Sequence, residues 1–192
     1  MSDHDAFAER GRALENEYFK NKDRELIERM RKAAAAKQAH SDLSRTSGLT
    51  DPALVQDLLD LGFTPDTISL LPLLPVLEIA WAEGGITAAE RDLIVRLARS
   101  RGITENSAAD RQLTEWMATR PDARVFERAG RLIAATLAST GQETATLSVD
   151  DLVQYCEKIA AASGGILGLG KISPEERALL SRITVDLKTR QT

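Results

Sequence analysis

The sequence contains a single cysteine, Cys156, which excludes an internal disulfide and any multi-cysteine zinc site and suits a reducing compartment. Aromatic residues make up only 4% of the 192 residues, so Leu, Ile, Val and Ala must fill any interior. Histidine occurs twice: His4 falls in the tail and His40 in a polar stretch, where solvated imidazoles are the ordinary case. The longest apolar stretch, Ile68 to Ala82, is interrupted by Pro72, Pro75 and Glu78, too short and too broken for a transmembrane helix. The first residues, MSDHDAFAERG, are acidic and polar and lack the apolar region of a secretory signal. A basic surplus is also missing. The net charge is −4, and a general nucleic-acid binder would need a clustered basic face. These absences lead to the expectation of a soluble, cytoplasmic protein without nucleic acid or direct membrane insertion.

What is present is globular in composition, with 43% hydrophobic and 28% charged residues. The length allows one ordinary domain and an appendage. No segment alternates like a strand between hairpin turns, so the spacing predicts an all-α fold. The appendage is the stretch Glu9 to Lys32, ERGRALENEYFKNKDRELIERMRK, rich in strong helix formers and free of proline. Leu14, Tyr18, Phe19, Leu26, Ile27 and Met30 are linked by steps of three, four or seven and fall on one broad side of a helix. Charges of both signs fill the rest, with Glu25 and Arg29 at i, i+4. Such a helix would be about 36 Å long and has an apolar stripe to bury, either on its own domain, on a second chain or on another protein. Ala33 to Ala36 prolong it, giving a tail over 1–36. Residues 37–48, KQAHSDLSRTSG, turn polar and Ser/Thr-rich and read as a flexible linker before a helical domain over 49–192.

Seven helical segments are expected in that domain. Thr50 is expected to cap the first, with Pro52 in its first turn and Gly62 beyond its end. Thr64 and Pro65 open a segment that is apolar almost all round and should be central, kinked or split at Pro72 and Pro75. Thr87 and Glu90 form a capping box for the next, which Gly102 ends. Thr104 and Pro121 are expected to start two more, Ser148 to cap VDDLVQYCEKIAAA, and Ser173 with Glu176 to form a second capping box. Trp81–Ile94 and Leu167–Leu180 superpose: each joins a helix end, Gly-x-Ile, a Ser or Thr cap and Glu-Arg. They are read as two helix–loop–helix pseudo-repeats.

No catalytic constellation emerges, so the chain is not expected to be an enzyme and no cofactor is expected. Cys156 has no histidine in its domain to activate it and reads as a buried structural residue. The run Gly164 to Gly170 follows a helix rather than a strand and lacks the Gly-Lys-Ser/Thr ending of a phosphate loop. Asp150 and Asp151 suit the positive end of a helix dipole. The loop Glu83–Gly84–Gly85–Ile86…Glu90 is like the second half of a calcium loop, which makes Glu83 and Glu90 the candidate metal ligands. Trp81 and Ile79 stand where further oxygen ligands would be needed. The plainer reading has a glycine turning the chain, Ile86 plugging the core and Glu90 capping the helix.

Two resemblances add to this. The motif W-A-E-G-G-I-T-A-A-E, Trp81 to Glu90, resembles the tellurite-resistance TerB-like family, which carries A-D-G-x-I-x-x-x-E between helices. The likeness implies a helical stress-response or scaffold domain associated with metal binding; Glu83 replaces the family's Asp, and Leu169 replaces the acid in the second copy. The tail resembles the inhibitory helix of the mitochondrial F1-ATPase inhibitor family. The run E-x-E-Y-F, a basic stretch, R-E-x-I and Met-Arg-Lys carries that likeness, with Phe7 matching an upstream aromatic. It implies inhibition of ATP hydrolysis by F1Fo-ATP synthase through insertion at a catalytic α/β interface against the γ rotor. Tyr18 and Phe19 would then be buried anchors, Glu15, Lys22, Arg24 and Glu25 charged contacts, and Ile27 and Met30 packing residues. Lys22 and Leu26 depart from the Arg and Gln of that family, whose histidine-rich switch and coiled-coil segment have no counterpart here.

Overall fold

The computed structural model describes residues 3–140, 149–162 and 173–189, with side chains described for 17–136, 139, 150–162 and 173–185. Every secondary-structure element among them is helical: α1 Asp3–Ser47, α2 Pro52–Asp60, a 3₁₀ segment Ile68–Leu73, α3 Leu74–Ala80, α4 Ala88–Ser100, α5 Ala108–Ala118, α6 Ala123–Thr140, α7 Val149–Ala162 and α8 Pro174–Thr189. The all-α expectation holds. Two compact units are present, Met1–Ser41 and Asp42–Thr192.

The first correction concerns residues 37–48. They are not a flexible linker: α1 continues through Ser47, and the second unit begins at Asp42 rather than at residue 49. Composition misleads here because tertiary packing overrides weak propensity. Leu43 is fully buried in the second unit and pins the turn it stands on. The hydroxyls of Thr46 and Ser47 donate back to the carbonyls of Asp42 and Ser44, and Arg45 pairs with Asp42 at 2.7 Å, so polar side chains serve the helix instead of competing with it. The helix ends at Gly48, whose φ of 73° is left-handed. Beyond it the Ser44 hydroxyl donates to the Leu49 carbonyl at 2.6 Å, fastening the exit.

Asp51, not Thr50, caps α2, its carboxylate accepting the Ala53 N–H at 2.9 Å. Pro52 explains the choice, since the residue before a proline is held extended, as a cap must be. The apolar segment splits as its prolines require. Pro72 falls inside the 3₁₀ piece, and Pro75 sits in the first turn of α3, where a missing N–H breaks no helical bond. Leu74, Val76, Leu77 and Ile79 of α3 are fully buried, and α3 packs against α4, α6, α7 and α8, so it is the centre of the second unit. Ser107, rather than Thr104, caps α5 by accepting the Asp110 N–H at 3.1 Å, with Thr104 left in the preceding turn. Pro121 precedes α6, which starts at Ala123. The expected cap Ser148 and the whole glycine-rich run Gly164 to Gly170 lie outside the described residues.

Ion pairs tie distant elements of this unit together. Asp57 of α2 holds both Arg128 and Arg131 of α6, and Glu78 of α3 holds Arg182 of α8. The Trp81 indole N–H donates to the Trp116 carbonyl at 2.9 Å, joining the end of α3 to α5. Among the described residues no helix is long and apolar enough to cross a membrane.

Candidate partner-binding helix

From Glu17 to Gln38 every side chain of α1 is exposed. A helix without a core to lean on must rely on propensity and local charge pairs. Lys22 supplies two such contacts: its ammonium is 3.5 Å from Glu25 and 5.7 Å from the centre of the Tyr18 ring. Tyr18 in turn meets Phe19 edge to face, ring centres 5.8 Å apart. Phe19, Tyr18, Lys22 and Glu25 thus form one connected surface chain.

Exposure makes this stretch unusual. Tyr18 is 59% exposed, Phe19 61% and Met30 64%, with Leu26 and Ile27 about as open, and Val185 is the one other large hydrophobic so exposed among the described residues. Phe19, Leu26 and Met30, spaced seven and four apart, run along one line of the helix, with Tyr18 and Ile27 flanking it. Arg24 falls toward the opposite side, away from the aromatic pair. The side chains of Phe7 and Glu15 lie outside the described residues. Leu26, which departs from the inhibitor family's Gln, belongs to the stripe as its spacing from Phe19 and Met30 predicts. Burying one such side chain on a partner is worth roughly 1.5–3 kcal/mol before ordering costs, so the stripe has substantial binding capacity.

The second candidate site, the turn between α3 and α4, is built around its cap. Gly84 takes the left-handed turn with φ 87°, and Glu83 is exposed. Glu90 is only 1% exposed. One carboxylate oxygen accepts the Thr87 backbone N–H and the Thr87 hydroxyl, both at 2.7 Å, while that hydroxyl accepts the Glu90 N–H at 3.3 Å. Burial pushes the Glu90 carboxyl above its ordinary value, and the charges of Glu176 and Glu83 push the same way against the Thr87 hydrogen bonds. Ser173 and Glu176 repeat the box on α8: the Ser173 N–H reaches the Glu176 carboxylate at 2.9 Å, and the Glu176 N–H reaches the Ser173 hydroxyl at 3.1 Å. No group of three or more His, Cys, Asp or Glu side chains placed to share a metal ion occurs among the described residues. Cys156, on α7, is fully buried. No protein-family model, curated protein or solved structure matches the chain.

Proposed function

We propose that the protein inhibits ATP hydrolysis by F1Fo-ATP synthase. In this reading α1 enters the catalytic α/β interface of F1 against the γ rotor, while the helical unit Asp42–Thr192 recruits or regulates it. The observation that carries the reading is the open aromatic pair: Tyr18 and Phe19 are exposed side by side on a charged helix. An amphipathic helix laid in a groove is a recurring mode of recognition, and aromatic residues dominate the energetics of such contacts. The likeness of the tail to the F1-ATPase inhibitor family supplies the identity of the groove. Tyr18, Phe19, Leu26, Ile27 and Met30 are the apolar anchors, with Lys22 and Glu25 at their edge and Phe7, Glu15 and Arg24 as further contacts. Inhibition of this kind needs no chemistry from the chain, only occupation of a space the rotor must sweep.

The test is ATP hydrolysis by isolated F1 with the full-length protein and with its Tyr18→Ala/Phe19→Ala variant. Inhibition by the wild-type chain and a loss of more than about a hundredfold in potency are expected, since two anchors are removed at about 2 kcal/mol or more each. The melting temperature should not change, because neither ring is buried in its own chain. Absence of inhibition at micromolar protein would sink the proposal. If calcium then stabilised the protein, the alternative would stand: a TerB-like stress-response or scaffold protein whose metal contacts are Glu83 and Glu90. The left-handed Gly84 preceding the Glu90 cap favours that alternative, since it keeps the turn of that family's loop.

A further inference from the structure

Helices α4 and α7 pack against each other, yet their facing sides leave a cleft of about 290 Å³. The floor is apolar, made by Leu93 and Leu97 of α4 and Ile159 of α7, with Tyr155 as one wall. Each helix adds one residue of different character at the rim: Arg96 lies three residues after Leu93, and Lys158 three after Tyr155. No acidic side chain lines the cleft.

What sets the two cations apart is their place: both line an apolar cleft, and neither forms an ion pair with a carboxylate among the described residues. Arg99, Arg128, Arg131 and Arg182 each hold an acid. Lys158 touches only the Gln154 side-chain oxygen, at 3.1 Å, and lies 5.2 Å from the centre of the Tyr155 ring. Arg96 is exposed. Asp151, two turns before Lys158 on α7, lies in the field of Arg101. In a chain of net charge −4, two cations over an apolar cleft that no acid lines are a local feature rather than a consequence of overall charge.

We infer that this cleft binds a small amphiphile with one anionic head, a medium-chain fatty carboxylate. The guanidinium of Arg96 matches a carboxylate in two-pronged fashion, and Lys158 adds a point charge on the other side. Leu93, Leu97, Ile159 and the Tyr155 ring cover the alkyl body. The volume sits at the small end of ligand pockets, roughly 300–1,000 Å³, so it suits one short chain and not a two-tailed lipid or the row of anchors of a docked helix. The site lies wholly within the second unit.

The experiment is calorimetric titration of the full-length protein with decanoate below its micelle concentration, beside decanol and decyltrimethylammonium. One saturable site for decanoate is expected, with decanol at least about tenfold weaker and the cation not bound. Arg96→Gln/Lys158→Gln should bind decanoate no better than decanol, with an unchanged melting temperature, since both side chains are exposed. Mapping of wild-type amide shifts, which needs no variant to fold, should place the perturbations on 93–100 and 155–159. Equal binding of decanoate and decanol, an unaffected double variant, or shifts elsewhere would each overturn the inference. So would a cleft that ignores decanoate and instead takes an acidic amphipathic peptide, or is covered by a second copy in a concentration-dependent dimer.

Discussion

Glu90 and Glu176 are buried carboxylates in matching positions, each closing the capping box at the start of its helix, and the charge of Glu176 acts on Glu90. The arrangement has an energetic consequence. Glu90→Ala leaves the Thr87 N–H without its acceptor in a partly buried turn, which is expected to cost about 1–2 kcal/mol in urea unfolding. The pH dependence is separable. Burial is the largest influence and raises the folded carboxyl above its unfolded value, so in the interval between the two the folded chain binds more protons. Stability through Glu90 therefore rises as pH falls through the folded value and levels off below the unfolded one. Melting curves from about pH 7 to about pH 4.5 should show that rise in wild type and lack it in Glu90→Gln. Parallel profiles for the two proteins would remove the argument.

Two adjacent glycines offer a sharper contrast. Gly84 has φ 87° while Gly85 is not left-handed, and a methyl group at either would meet nothing within 4 Å. Conformation is then the only difference between them. Gly84→Ala is expected to destabilise by about 1–2 kcal/mol, the cost of a left-handed alanine. Gly85→Ala should be neutral or stabilising by up to about 1 kcal/mol, because it restricts the unfolded chain. Denaturant midpoints for the pair decide it, and equal losses would show that the turn is held by something other than backbone preference.

The anchoring of the end of α1 within the second unit can be tested with two leucines on that helix. Leu43 is fully buried, whereas Leu26 is half exposed. Leu43→Ala is expected to cost about 2–5 kcal/mol through lost burial and a cavity. Leu26→Ala should stay within about 0.5 kcal/mol. A flexible segment over 37–48 would make both changes silent, so a neutral Leu43→Ala would restore the linker.

These contrasts also explain what could be read from the sequence. The all-α class, the division at Pro72 and Pro75 and both capping boxes rest on local rules, in which residues three or four apart act on each other's backbone. The stripe bearing Tyr18 and Phe19 was legible for the same reason. The expectation failed at 37–48 because packing decided a local outcome: burial of Leu43 holds a Ser/Thr-rich stretch as helix. At the caps two local signals competed, and Pro52 and the Asp110 N–H favour Asp51 and Ser107 over the nearby threonines. The cleft was beyond sequence reading altogether. Arg96 and Lys158 belong to helices far apart in the chain, and only the packing of α4 on α7 puts them at one rim.

Cys156 provides the last test. It is fully buried on α7, a helix packed on α3, α4 and α8, and burial foremost, with the charges of Glu78 and Glu157 adding, pushes its thiol up to about 12. The thiolate is the reactive form, and at pH 8 a thiol of this kind is ionised only about one part in ten thousand. Because it is the chain's single cysteine, labelling reports on one site. Native protein at pH 8 should react with a disulfide reagent at least about a thousandfold more slowly than the urea-unfolded chain, since modification must wait for α7 to open. Prompt stoichiometric labelling of the native protein would mean that α7 does not seal the core. The place of the cleft it forms with α4 would then have to be drawn again.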